Sequence, residues 1–151
     1  ERAASGKEPK PQNSILDEVP VHFPGLLEAL KITNKAAKVG FDWESADQVF
    51  LKIDEEISEV RSALAIENKD EIEEEIGDLL FAVVNLARKL EIEPETALKR
   101  TNRKFRTRFS YIEREIAAKE GILADTSLAE LDRLWEESKR HTNVKENNPA
   151  R

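Results

Sequence analysis

The fold of this chain is decided by the stretch SADQVFLKIDEEISEVRSALAI, residues 45–66. Apolar side chains recur along it at intervals of three, four, three and four residues, which is the spacing of one face of an α-helix. They are Phe50, Ile53, Ile57, Val60 and Leu64. We therefore predict an amphipathic helix over about 45–66, followed by a tight connection at 67–69.

Four more helices are predicted on the two sides of this stretch. Gly40 ends the first, Pro94 stands where a first helical turn accepts proline, and Gly121 ends the helix that Pro94 begins. Ser127 and Glu130 form a capping box at the start of the last helix. The predicted ranges are about 24–38, 70–90 and 94–120, and the last helix is predicted to begin at 127 and to fray into 147–149.

The fold class that follows is all-α. No run of alternating β-branched residues lies between turn signals, and the short connections favour antiparallel neighbours. The third helix is apolar from Leu79 to Ala87 except at Asn85, and a helix that is apolar on nearly every side is buried on nearly every side. We predict an antiparallel bundle of about five helices that is completed by a symmetric homodimer.

Length, composition and charge limit the class of protein. The 151 residues provide one helical domain, placed at 20–141 between a flexible linker or arm at 1–19 and a flexible tail at 142–151. Charged residues make up 36% of the chain, above the roughly 25% of an average soluble domain, and the net charge is −7. This charge disfavours nucleic acid and anionic membranes as partners. The lack of cysteine and of a long apolar stretch favours a cytoplasmic protein.

Carboxylates are concentrated on the second and third helices. At about 100° per residue, Glu55, Glu56 and Glu59 form a strip that faces away from one apolar stripe, and such a strip is commonly a solvated face. Glu75 borders the apolar stripe of the third helix, and Asp78 lies about 60° to its other side. Because an isolated buried charge is costly, Glu75 must find a cation or hydrogen-bond donors.

A divalent cation is the candidate for that partner. Two antiparallel helices that offer three and two carboxylates supply the oxygen ligands that Mg²⁺ prefers, with water and substrate phosphates completing its shell. We expect one or two Mg²⁺ ions per site, with Mn²⁺ as an alternative. A di-iron centre would need Glu-x-x-His pairs on facing helices, but the two histidines, His22 and His141, lie near the two ends of the ordered region.

A second candidate site consists of basic, polar and aromatic side chains on the fourth and fifth helices. Lys104 and Arg108 lie one turn apart on one flank of the inner stripe of the fourth helix, and Asn102 lies on its other flank. On the fifth helix Trp135 and Lys139 are one turn apart, so an aromatic face and an ammonium group can be presented together. Core packing for Trp135, and solvation or ion pairing for the charged side chains, remain alternatives.

Together these motifs resemble a known family. Glu-Glu-x-x-Glu at 55–59, a spacer of fifteen residues and Glu-x-x-Asp at 75–78 are similar to the motif of the MazG family of all-α nucleoside triphosphate pyrophosphohydrolases. The resemblance covers about 14–141 and is to the C-terminal domain of two-domain members. Further segments carry it: Gly-Phe-Asp-Trp at 40–43, Glu-Glu-Ile-Gly-Asp-Leu-Leu-Phe at 74–81, Thr-Asn-Arg-Lys-Phe at 101–105 and Trp-Glu-Glu-Ser-Lys at 135–139.

The resemblance implies a fold of the all-α NTP pyrophosphatase type, a homodimer and a reaction. Water attacks the α-phosphorus of a nucleoside triphosphate, releasing the monophosphate and pyrophosphate. The implied catalytic and Mg²⁺-binding residues are Glu55, Glu56, Glu59, Glu75 and Asp78, and those implied to bind the nucleotide are Asn102, Lys104, Arg108, Trp135 and Lys139.

Two expectations complete this interpretation. The chain begins with Glu and contains no Met, so we expect a processed product or a piece excised from a longer protein. The alternative function, from a different class, is a non-catalytic helical dimerisation or regulatory module that binds metal or nucleotide.

Overall fold

The computed structural model describes residues 14–146, with side chains up to 141. In this range it contains five α-helices and no strand, which confirms the all-α prediction. Two short 3-10 helices accompany them, at Ile15–Glu18 and Leu123–Asp125. The α-helices are α1 (Gly25–Lys38), α2 (Ala46–Ile66), α3 (Lys69–Lys89), α4 (Pro94–Ala118) and α5 (Leu128–Glu146). Among the described residues, no helix combines the length and apolar character needed to cross a bilayer.

The connection between α2 and α3 is short because both helices are capped locally. Glu67 adopts a left-handed conformation, with φ of 58°, that ends α2. Asn68 then begins α3, since its Oδ1 accepts a hydrogen bond from the backbone N–H of Asp70 at 3.1 Å. A link this short makes the two helices antiparallel neighbours.

The two ends of the domain differ in detail from the sequence analysis. Ile15–Glu18 forms a 3-10 helix within the segment that was expected to be an arm, and the capping box of Ser14 and Asp17 fixes its start. Four residues carry too little periodicity to be predicted. The backbone of α5 continues to Glu146, past the expected domain end at 141. Residues 1–13 of the expected arm and 147–151 of the expected tail lie outside the described residues.

The chain divides into two compact units, one ending at Glu95 and the other beginning at Thr96. In the first unit, α3 packs against both α1 and α2, and the turn at Ile15–Glu18 packs against α1. The buried apolar side chains of this unit are small: Val19, Val49, Ala63, Ala82 and Val84.

The buried row of α2 differs from the apolar stripe that the sequence shows. Phe50 and Leu64, at the two ends of that stripe, are about half exposed. The buried row consists of Val49, Glu56 and Ala63, which lie seven residues apart and so about two turns apart. A carboxylate therefore lies in the interior of the first unit.

One side of α3 remains exposed. Ile76, Leu80 and Val83 follow one another at helical spacing, and each is about half exposed. For the single chain, the expectation that α3 is buried on nearly every side is therefore wrong. The physical reason is that α1 and α2 cover only part of the surface of α3. The buried residues of this helix are Ala82, Val84 and Asn85.

The second unit has its own core. Ile112 and Ile116 of α4 pack with Leu134 of α5. Partly buried side chains surround them: Phe109, Leu123, Leu131 and Trp135. After α4, the backbone N–H of Gly121 donates to the Ile116 carbonyl at 2.9 Å. A Cβ at Gly121 would lie 3.1 Å from Ile116 Cγ2, so a larger residue there would crowd that side chain.

Candidate functional site

Three of the five predicted site carboxylates converge in the first unit. Glu56 of α2 meets Glu75 and Asp78 of α3, with one oxygen from each lying within 4.8 Å of the others. Glu56 is only 2% exposed, Glu75 is half-buried and Asp78 is exposed. The cluster therefore opens from the interior of the unit towards solvent.

The packing of α2 on α3 brings these side chains together. Glu56 belongs to the buried row of α2, which also contains Val49 and Ala63. Glu75 and Asp78 are three residues apart, so they share one face of α3. The short link between these antiparallel helices sets the register that places this face opposite Glu56.

The charge of Glu56 is only partly compensated. Its Oε1 forms an ion pair with Lys52 Nζ at 2.5 Å, and the same ammonium lies 3.0 Å from Glu55 Oε1. Its Oε2 is buried and has no hydrogen-bond partner. Because a buried anionic oxygen without a partner is costly, this atom is placed to receive a cation or a donor.

Glu55 and Glu59 lie outside the three-carboxylate cluster but beside it. Glu55 is exposed and pairs with Lys52. Interaction with the neighbouring Glu56 carboxylate, followed by desolvation and the charge of Glu75, raises the pKa of Glu59 above its ordinary value. Hydrogen bonds to Glu56 and then to Glu55 raise the pKa of Lys52. Both shifts reflect an excess of negative charge around this site.

The residues present fit a divalent cation. All the converging donors are carboxylate oxygens, the ligands that hard cations such as Mg²⁺ prefer. The orphaned Oε2 of Glu56 supports this fit independently, because a metal ion would satisfy it. The identity of the metal does not follow from the donor set, since Mn²⁺ accepts the same oxygen ligands.

A cavity of about 640 Å³ adjoins the carboxylates within the first unit. Its lining includes three charged side chains, Lys52, Glu56 and Asp78. It also includes three aromatic side chains, Phe41, Trp43 and Phe81. Phe41 and Trp43 belong to a segment that resembles the family, but no sequence pattern predicts that they line a cavity. Only the packing of the 40–43 loop against α3 reveals it.

A network of ion pairs holds that loop on α3. The Arg88 guanidinium forms a forked pair with Asp42, in which Nη1 lies 3.1 Å from Oδ2. Lys89 Nζ lies 3.3 Å from the same carboxylate and donates to the Trp43 carbonyl at 2.8 Å. The hydrogen bonds from Arg88 hold the pKa of Asp42 well below its usual range. The sequence carries no local signal for this network, because its members are 46 residues apart.

The five predicted nucleotide-binding residues all belong to the second unit. The Arg108 guanidinium lies 5.7 Å from the Trp135 ring, and Arg108 Nε is buried without a partner. Trp135 also contacts Phe105 and packs on the core around Ile112, so the ring is partly a packing residue.

The other three predicted residues of this unit are polar and more accessible. Lys104 is exposed, and Lys139 is half-buried and paired with Glu136. Asn102 lines a separate cavity of about 520 Å³ on the α4 face that carries Phe105 and Phe109. Lys104 and Arg108 do not line that cavity, so α4 presents its predicted residues on two sides.

Comparison with known proteins relates this chain to nucleoside triphosphate pyrophosphohydrolases. Residues 44–112 match the family model described as the MazG nucleotide pyrophosphohydrolase domain, and this range contains all five predicted carboxylates. Over 133 residues the chain is 42% identical to the nucleoside triphosphate pyrophosphohydrolase of Escherichia coli (strain K12), covering 87% of this chain and 51% of that protein.

Two other relatives extend this comparison. Over 131 residues the chain is 40% identical to the nucleoside triphosphate pyrophosphohydrolase/pyrophosphatase MazG of Thermotoga maritima, covering 86% of this chain and 50% of that protein. A shorter match, 62% identical over 66 residues, is to the uncharacterized protein YabN of Bacillus subtilis, covering 43% of this chain and 13% of that protein. The chain is therefore homologous to curated nucleoside triphosphate pyrophosphohydrolases and spans about half the length of the first two relatives.

Proposed function

Since this chain carries a MazG nucleotide pyrophosphohydrolase domain, we propose that it hydrolyses nucleoside triphosphates to nucleoside monophosphates and pyrophosphate in a Mg²⁺-dependent reaction. The observation that carries the proposal is the convergence of Glu56, Glu75 and Asp78 around a buried oxygen that lacks a partner. This arrangement lies inside the matched range, so the homology and the geometry support the same residues.

In the proposed reaction the carboxylates bind the metal ion. Glu56, Glu75 and Asp78 hold the cation, and Glu55 and Glu59 complete the acidic set beside them. When bound, Mg²⁺ supplies positive charge that offsets the charge of the phosphates. Water attacks the α-phosphorus, and the bond from that phosphorus to the bridging oxygen breaks, which leaves pyrophosphate as the second product. Phosphoryl transfer of this kind depends mainly on alignment and charge neutralisation.

The resemblance supports a second group of proposed contacts. Lys104 and Arg108 bind the polyphosphate, to which lysine brings a mobile point charge and arginine a planar fork. The other residues proposed to contact the nucleotide are Asn102, Trp135 and Lys139. Their polar or aromatic character supports this assignment, and substitutions in the second unit can test it.

The proposed active form is a homodimer. The exposed apolar row of α3, formed by Ile76, Leu80 and Val83, supports this proposal because contiguous exposed apolar surface favours association. A symmetric dimer is the simplest closed assembly that would cover the same row on both copies. Light scattering at micromolar concentration should give twice the mass of the chain, and a monomer mass with full activity would reject the dimer.

Product analysis tests the reaction. The purified chain is incubated with Mg²⁺ and each of the common ribo- and deoxyribonucleoside triphosphates, and the products are separated by ion-exchange chromatography. Monophosphate and pyrophosphate should appear in equal amounts. Diphosphate and inorganic phosphate as primary products would reject the proposed bond cleavage. Binding of metal or nucleotide without turnover would favour the non-catalytic module instead.

A further inference from the structure

Three basic side chains of α4 have no part in the proposed reaction. Lys99, Arg103 and Arg106 are exposed and follow one another at helical spacing, and we call them the basic row. At about 100° per residue, the basic row is centred about 150° around the helix from Lys104 and Arg108. It therefore lies on a different side of α4 from the two residues that are proposed to bind the triphosphate.

Neighbouring acids do not compensate the charge of the basic row. The ion pairs in the described part of the second unit involve other cations, which are Lys119, Arg133 and Lys139. The segment 99–108 contains six basic residues and no acidic one. Like charges three or four residues apart destabilise a helix, so the basic row does not serve the stability of α4. A ligand for it is therefore an anion from outside this helix.

An aromatic surface adjoins the basic row on the same helix. Phe105 and Phe109 stack, with ring centroids 6.0 Å apart and an angle of 9° between the rings, and Phe105 is 55% exposed. The two rings line the cavity of about 520 Å³ together with Arg106 and Ser110. Arg106 belongs both to the basic row and to the cavity lining, so a cation lies next to a flat apolar surface.

We propose that this face of α4 binds single-stranded nucleic acid, with the basic row contacting successive phosphates and Phe105 stacking on an unpaired base. Two of the three cations are arginines, whose planar fork matches the oxygens of a phosphate. Base stacking on an aromatic side chain tolerates any base, since every base has a π-face. An acidic peptide would match the charge of the basic row, but carboxylate side chains have no flat surface to place on the exposed ring.

The acidic remainder of the chain restricts binding to this face. The net charge of −7 repels a polyanion from the molecule as a whole, so the strand is held only where cations are concentrated. Glu113 also lines the cavity, and a carboxylate there would repel a phosphate but can accept a hydrogen bond from the amino group of cytosine. The phosphates are therefore placed on the basic row and the base in the cavity.

Fluorescence anisotropy tests the phosphate contacts, with the full chain titrated into a labelled oligodeoxycytidylate at several salt concentrations. We expect saturable binding, with log Kobs falling against log salt at a slope of about −2, because three cations release counterions from a single strand. The double variant Arg103→Gln, Arg106→Gln should raise Kd at least tenfold and reduce the slope to about −0.7. Arg61→Gln, which alters an exposed arginine of α2, is the control and should change neither quantity. No binding to the wild-type chain, or an unchanged Kd in the double variant, would overturn the inference.

A strand of the same length that lacks bases separates stacking from charge. The wild-type chain should bind this abasic strand about tenfold more weakly than oligodeoxycytidylate, because the phosphates remain but no base stacks on Phe105. Phe105→Ala should remove the difference between the two strands. Phe50→Ala should preserve it, since Phe50 is also about half exposed but does not line the cavity. Equal affinity of the wild-type chain for both strands would overturn the inference, and so would binding of polyglutamate as tight as that of oligodeoxycytidylate.

Turnover of nucleoside triphosphates by the same double variant separates this site from the proposed reaction. Its kcat/KM should stay within about twofold of the wild-type value, because the basic row lies away from Lys104 and Arg108. A loss of turnover as large as that of Lys104→Ala would assign the basic row to the substrate site and overturn the inference.

Discussion

Two acidic clusters, one in each unit of this chain, differ in how far neighbouring cations compensate their charge. In the second unit, the Arg133 guanidinium pairs with Glu130 at 2.8 Å and with Glu137 at 2.9 Å. Glu137 also accepts a hydrogen bond from the Tyr111 hydroxyl at 2.6 Å. The hydrogen bonds from Arg133 lower the pKa of Glu130 to about 2, so these acids are compensated by groups of their own unit.

In the first unit, the compensation of the carboxylates around Glu56 is incomplete. Lys52 is shared between Glu55 and Glu56, one oxygen of Glu56 has no partner, and the pKa of Glu59 is raised. The number of acidic residues therefore does not identify a site. The informative property is whether neighbouring cations satisfy them, and only the first unit has a converging carboxylate cluster among the described residues.

The largest expected effect is a loss of activity when a carboxylate of the cluster is neutralised, compared with an exposed carboxylate outside it. Asp78→Asn should lower kcat/KM roughly 100-fold, because the isostere keeps the shape but removes a ligand charge from the proposed metal site. Asp54→Asn is the matched control on α2, since Asp54 is exposed and outside the cluster. Steady-state kinetics with pyrophosphate detection provide the measurement. Equal rates in both variants would show that the cluster is a solvated acidic face without a role in the reaction.

A smaller effect is expected from the basic residues of the second unit. Lys104→Ala and Arg108→Ala should each raise KM about tenfold, the equivalent of about 1.4 kcal/mol. The factor should be similar for all triphosphates, because the phosphates are common to them. Lys99→Ala, an exposed lysine of the same helix, is the control and should change KM by less than about twofold. A change in base preference in the Lys104 or Arg108 variant would contradict a pure phosphate contact.

The Asp42 network predicts a moderate effect on stability that depends on pH. Asp42→Asn should lower the free energy of unfolding at pH 7 by about 1–2 kcal/mol, because the pairing with Arg88 and Lys89 loses its charge. The folded-state pKa of Asp42 is depressed, so its contribution is present above the unfolded pKa of about 3.9 and is lost as the pH falls through the folded pKa.

Urea unfolding at several pH values measures this contribution. The difference in unfolding free energy between wild type and Asp42→Asn should shrink as the pH falls below about 3.9. Asp54→Asn controls for the loss of one negative charge. A difference that stays constant down to strongly acidic pH would show that the carboxylate charge of Asp42 does not stabilise the loop.

The sequence predicts the helices well because their signals are local. Periodicity, prolines, glycines and caps place α1 to α4 within about two residues of the observed ends, and Ser127 caps α5 by accepting from the Glu130 backbone N–H at 3.3 Å. The family follows from the spacing of the carboxylates together with the other matching segments, which are also linear properties of the chain. These features therefore need no knowledge of tertiary contacts.

The site is less predictable because tertiary packing decides which helix face is buried. Angles on a single helix placed Glu56 beside Glu55 and Glu59 in one strip, but packing of α2 on α3 buries Glu56 and leaves the other two exposed. The pairing of Asp42 with Arg88 depends on the same packing. The cavity walls at Phe41 and Trp43 depend on that pairing, so no local pattern indicates them.

The central claim is that Glu56 and its neighbours form a cation site, whereas the described residues of the second unit contain no such carboxylate cluster. Isothermal titration of Mg²⁺ or Mn²⁺ into the metal-free chain tests it most directly, with Glu56→Gln and the second-unit control Glu130→Gln compared to wild type. Melting curves first establish that each variant is folded. We predict saturable binding in the wild-type chain and in Glu130→Gln, and loss of that binding in Glu56→Gln. Unchanged affinity in folded Glu56→Gln, or no binding to the wild-type chain, would contradict the account.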